Sequence, residues 1–132
     1  MGGLIGIDGF CKLEQQQYGT SGKYNKLFTV KANGFAEAII SIGAYSNAYT
    51  AIAVIQVFPS HTEYKISVKY LLGEKYNAGQ GRLFYAIDEN GAYTIYNTSL
   101  SYYKNGYIFI SKYEVTTHNQ QIDNLPSDAI QI

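Results

Sequence analysis

An asparagine followed by a glycine occurs at Asn33-Gly34, Asn90-Gly91 and Asn105-Gly106, each time between residues that favour strands. Both residue types tolerate positive φ, which a two-residue hairpin turn demands, so Asn-Gly is a strong hairpin signal. The pairs predict hairpins joining Lys26–Ala32 to Phe35–Ile42, Arg82–Asp88 to Tyr93–Thr98, and Tyr102–Tyr103 to Tyr107–Val115. The chain's 14 Tyr, 6 Phe and 13 Gly against 2 Pro fit the same reading. Tyrosine and phenylalanine favour pleated, half-buried surfaces, and glycine supplies the turns.

Two further segments read as strands. Asn47–Phe58 is apolar on both sides, with Ala48, Ile52 and Val54 on one and Tyr49, Ala51, Ala53, Ile55 and Val57 on the other. A strand covered on both faces is central in its sheet or lies at a subunit contact. Pro59 ends it, because proline cannot donate to the ladder. Glu63–Leu72 alternates: Ile66, Val68, Tyr70 and Leu72 against Lys65, Ser67 and Lys69, a half-buried strand with one wet side. The polar stretch Thr116–Ile132, with Pro126, Asp123 and Asp128, is a poor strand and reads as an extended tail draped over a neighbour. The sum is an all-β, antiparallel, jelly-roll-like β-sandwich of seven or eight short strands. Covering both faces of Asn47–Phe58 suggests a second copy around a symmetry axis. Residues 1–25, glycine-rich with the polar run Glu14–Gln17, read as a leader or shaft-connecting segment, and 26–132 as the head domain.

The chain of 132 residues carries 10 basic and 10 acidic side chains, so bulk electrostatics do not point to nucleic acid or a membrane surface. Apolar stretches are far shorter than a membrane-spanning helix needs, and no secretion signal is visible. Cys11 is the sole cysteine and cannot pair internally. The two histidines, His61 and His118, lie far apart in sequence and far from Cys11, which gives no metal-ligand spacing. Asp88-Glu89-Asn90 supplies oxygen ligands, but the turn already accounts for it. Ser60-His61 follows Pro59 in a loop and reads as a solvated turn, since sequence neighbours do not make a triad. Asp88 and Glu89 would point to opposite faces of a strand, unlike a glycosidase pair. Asn97-Thr98-Ser99 fits the glycosylation pattern by a short match. The expectation is a protein that is no enzyme, with no cofactor and no metal.

Fourteen tyrosines exceed what one small core needs, so some belong to a surface. Two clusters mix rings with amides: Tyr45 and Tyr49 around Ser46-Asn47-Ala48, and Tyr102, Tyr103, Asn105 and Tyr107. Sugar rings present apolar C–H faces and many hydroxyls, which flat aromatic faces beside amides match. The same mixture also serves general protein contacts. These six residues are the candidate ligand-binding set.

Lys26-Leu27-Phe28-Thr29-Val30, the strand apolar on both sides, Tyr64–Tyr70 and the closing Gly106-Tyr107-Ile108-Phe109-Ile110 together resemble the C-terminal head domains of bacteriophage tail fibres and tail spikes. The similarity covers about Lys26 to Val115 and is one of style and strand order. It implies a homotrimeric head on the virion tail, binding a host cell-surface glycan or protein. The family has no shared catalytic signature, and no catalytic residue is carried over. The alternatives are a trimerisation or assembly domain that binds no glycan, and a monomeric bacterial carbohydrate-binding module.

Overall fold

A computed structural model describes residues 17–18, 22–42, 51–75, 83–99 and 104–132. Its strands are β1 (Gln17–Tyr18), β2 (Lys23–Ile42), β3 (Ala51–Val57), β4 (Ile66–Leu72), β5 (Leu83–Ile87), β6 (Tyr93–Ser99), β7 (Lys104–Ile122) and β8 (Ile130–Gln131). All described pairings are antiparallel. The sheet curls into a half-barrel whose two parts face each other as in a sandwich.

Two long strands make the spine. β2 pairs with β7 from Tyr24 opposite Ile122 to Ser41 opposite Gly106. Along its other edge, β2 meets β6 over Lys23–Val30 and β3 over Ala36–Ile42. β5 and β8 extend the first half, and β4 extends the second. Between the halves the β2–β7 register jumps: Val30 faces Val115 and Phe35 faces Tyr113, so four residues of β2 stand against Glu114 alone. A bulge of this kind bends the strand and increases its twist. Glu114 takes φ 55° at that corner and ion-pairs with Lys31 at 3.4 Å.

The bend folds the two inner faces together. Phe28 and Ile95 come from the first half, and Ile40, Ile55, Tyr107 and Phe109 from the second. The Phe28 ring meets Phe109 at 4.9 Å and Tyr107 at 5.4 Å between centroids. β3 alternates as its sequence suggests: Ala51, Ala53, Ile55 and Val57 are buried, Ile52 and Val54 half-buried, and Gln56 exposed. It is central, between β2 and β4. Its outer side contributes to an aliphatic row, Ile108–Ile39–Val54, across three strands.

Four sequence expectations need correction. Asn33-Gly34 is no hairpin but part of the bulge within β2. A Cβ on Gly34 would lie 2.3 Å from the Tyr113 carbonyl oxygen, so glycine serves close backbone approach there. Asn105-Gly106 likewise lies inside β7, opposite Gln17 and Ser41. Thr116–Ile122 is no tail: it continues β7 against the first half of β2, and Ile130–Gln131 pairs with β5. Leu72 does not join Ile66, Val68 and Tyr70, because the β3–β4 register shifts after Ile52 and leaves Leu72 51% exposed. Asn90-Gly91 does form the expected turn between β5 and β6. Asp88 Oδ1 accepts from the Asn90 and Ala92 N–H groups, and Gly91 takes φ 81°. The first half of β2 begins at Lys23, ahead of residue 26.

Candidate functional site

Surface aromatics concentrate where the second half of the sheet meets the bend. Phe35 stands on β2 just past the bulge, and Phe58 follows β3. Pro59 then stops the strand, and the chain turns through His61 and Tyr64 before entering β4. Three bonds build this turn: Phe58 N–H to the Lys65 carbonyl at 2.8 Å, His61 N–H to the Phe58 carbonyl at 2.9 Å, and Lys65 Nζ to the Pro59 carbonyl at 2.9 Å. His61 anchors the turn from within. Its Nδ1 accepts from the Glu63 N–H at 3.1 Å and the Tyr64 N–H at 2.9 Å. A nitrogen that accepts carries no proton, so the neutral ring bears its hydrogen on Nε2.

The rings form a run: Phe35–Phe58 at 6.1 Å, Phe58–His61 at 5.7 Å and His61–Tyr64 at 5.6 Å. The interplanar angles, 47°, 55° and 42°, mean that no ring hides its neighbour by flat stacking. These residues, with Ala36, Gln56, Val57 and Ser67, line a hollow of about 250 Å³. Tyr64 is 67% exposed and Phe58 43%. Tyr113, also exposed, stands opposite Phe35 on β7 and prolongs the aromatic surface. Gln56 Nε2 donates to Glu37 Oε2 at 2.6 Å, which places an amide and a carboxylate at one side. Ligand pockets for drug-sized molecules run from about 300 Å³ upward, so this hollow suits a single ring with its neighbours left in solvent. Chemically it offers apolar faces, an imidazole, an amide and a hydroxyl.

The expected binding residues do not form this groove. Tyr45, Tyr49, Tyr102 and Tyr103 lie outside the described residues. Asn105 lies in β7, where its backbone faces Gln17. Tyr107 is a core residue, 1% exposed, which corrects its placement on a binding surface. Its hydroxyl sits 3.0 Å from the Leu27 carbonyl and 2.8 Å from Asn119 Oδ1, which satisfies a buried polar tip. The groove itself is assembled from residues on three strands and one loop. Its only linear trace is Phe58-Pro59-Ser60-His61 with Tyr64 close behind, which reads as a solvated turn.

Other polar groups hold the fold. Asn97 is 1% exposed and accepts from Asn25 Nδ2 at 2.9 Å, so the asparagine of the glycosylation pattern sits in the core. On the outer face of the first half, Thr29 Oγ1 lies 2.7 Å from both Thr94 Oγ1 and His118 Nε2, tying three strands. Burial, with Lys26 nearby, pushes the His118 imidazole below its ordinary pKa. Burial likewise raises the Tyr93 and Tyr96 phenols. Among the described residues no group of three His, Cys, Asp or Glu could hold a metal ion, and the Asp88 carboxylate is occupied by its turn. Among the described residues no helix is long and apolar enough to cross a membrane.

Comparison of the chain with protein families, with curated proteins and with solved structures finds no match.

Proposed function

We propose that this chain is a non-catalytic tip domain of a bacteriophage tail fibre or tail spike, which binds host cell-surface carbohydrate as a homotrimer. The observation that carries the binding half is the aromatic run Phe35–Phe58–His61–Tyr64 around an open hollow. A sugar ring lays its C–H face on such rings, and its hydroxyls meet Gln56, Ser67 and the imidazole. The proposed ligand is a host glycan, with a host protein as the other receptor class. The site of action is the virion tail at the moment of host contact. No nucleic acid and no membrane insertion is invoked.

The aliphatic row Ile108–Ile39–Val54 on the outer face favours a second reading, a trimerisation or assembly domain that binds no glycan. Two measurements separate the readings. Sedimentation equilibrium should give three times the chain's 14.7 kDa. A monomer mass would remove the trimer and leave a solitary carbohydrate-binding module. Binding to immobilised bacterial lipopolysaccharides and capsular polysaccharides should be saturable. A trimer that binds none of them would leave the assembly reading.

A further inference from the structure

We propose that His61 determines what the groove accepts: its Nε2–H is the hydrogen-bond donor offered to an acceptor oxygen of the bound sugar. This rests on the carbohydrate reading of the groove. The tautomer follows from the turn. With Nδ1 accepting two backbone N–H groups, the only ring proton of neutral His61 is on Nε2. His61 lines the hollow and sits between the Phe58 and Tyr64 rings. A ligand seated on those rings therefore meets a donor of fixed position, and one that cannot turn over to become an acceptor while the turn is intact. Sites built to hydrogen-bond a hydroxyl reject analogues that lack it far more strongly than apolar pockets reject an extra group.

The same two bonds make the donor conditional. A side chain with no acceptor at the Nδ1 position loses both bonds to Glu63 and Tyr64. Tyr64, the most exposed ring of the groove, then loses its backbone anchor. Lys65 is tied to the Pro59 carbonyl, so the turn keeps its outer bonds when the inner ones break.

Two variants divide the roles. His61→Asn places a side-chain oxygen near the Nδ1 position and has no group at Nε2. His61→Gln places an N–H near Nε2 and has no acceptor at Nδ1. Amide hydrogen exchange reads the turn, and binding to a panel of immobilised bacterial lipopolysaccharides reads the groove. His61→Asn should keep slow exchange at the Glu63 and Tyr64 amides, yet bind about tenfold more weakly, the loss of one hydrogen bond. His61→Gln should exchange faster than the wild type at both amides. Wild-type binding by His61→Asn would overturn the donor role. Unchanged amide exchange in His61→Gln would overturn the anchoring that fixes the tautomer. If no polysaccharide binds the wild type, the carbohydrate reading falls and the donor role with it, and the exchange data still decide the turn.

Discussion

The two halves of β2 share one neighbour, β7, yet they build different surfaces. The first half, Lys23–Val30, buries the Asn25–Asn97 amide pair beside Phe28 and carries Thr29, Thr94 and His118 on its outer face. The second half, Ala36–Ile42, buries only small and aliphatic residues and carries Ile39 outside, with Val54 and Ile108 beside it. The first half ties three strands together through Thr29, while the second sets one cross-strand side-chain bond, Gln56 to Glu37, beside its aliphatic packing. The bend at residues 31–34 lets both close on one core, and the aromatic groove opens on the far side of that bend. A strand pair of uniform chemistry would have had no reason to split its neighbours between β6 and β3.

The seam between the halves is where the largest effect is expected. Phe28 packs on Tyr107 and Phe109 from the opposite half, so Phe28→Ala should lose about 3–5 kcal/mol in urea unfolding. A loss below about 1 kcal/mol would mean that the halves do not depend on each other. Tyr107→Ala would act the same way, through the core.

The bend itself is tested by two glycines. Gly34→Ala drives a methyl into the Tyr113 carbonyl at 2.3 Å, and backbone must move to admit it. The expected loss is about 2–3 kcal/mol. Gly91→Ala meets only the Ala32 methyl at 3.5 Å but must hold φ 81°, a loss of about 1 kcal/mol. Equal melting temperatures for the two variants would contradict the bulge geometry.

The smallest effect separates the halves by pH. The folded imidazole of His118 has its pKa below the ordinary value of 6.5, so the unfolded chain takes up its proton first on acidification. Stability is complete above about pH 6.5 and declines as pH falls from there to the folded pKa, where the slope ends. His118→Gln should flatten that decline. Amide exchange should show the change at Thr29 and Thr94, in the first half, and leave Ile39 and Val54 unmoved.

Much of this architecture is legible in the residues. The alternation of Ala51–Val57 and of Ile66–Tyr70 marks strands and their inner faces, and Asp88-Glu89-Asn90-Gly91 marks a turn because its own side chain completes it. Asn33-Gly34 and Asn105-Gly106 mislead because the dipeptide states only what the backbone tolerates. Whether it turns depends on the partner strand, and β7 passes within contact of Gly34. The polar run Thr116–Ile122 hides a strand because one of its sides faces solvent and its edge is paired through the backbone, which leaves no apolar pattern. Tyr107 shows why tyrosine clusters are weak guides to a surface: its ring is core material, and its hydroxyl reaches the buried Leu27 carbonyl and the Asn119 side chain at the edge of the core. The groove escapes linear reading because Phe35, Gln56, His61 and Ser67 meet only after β2, β3 and β4 have paired.

Tyr64 tests the central claim most directly, since it is the most exposed ring of the groove and its side chain lies outside the core. Tyr64→Ala should unfold within about 0.5 kcal/mol of the wild type and lose most of its binding to immobilised bacterial polysaccharide. A variant that is equally stable and binds as tightly as the wild type would contradict the assignment of this groove as the receptor site.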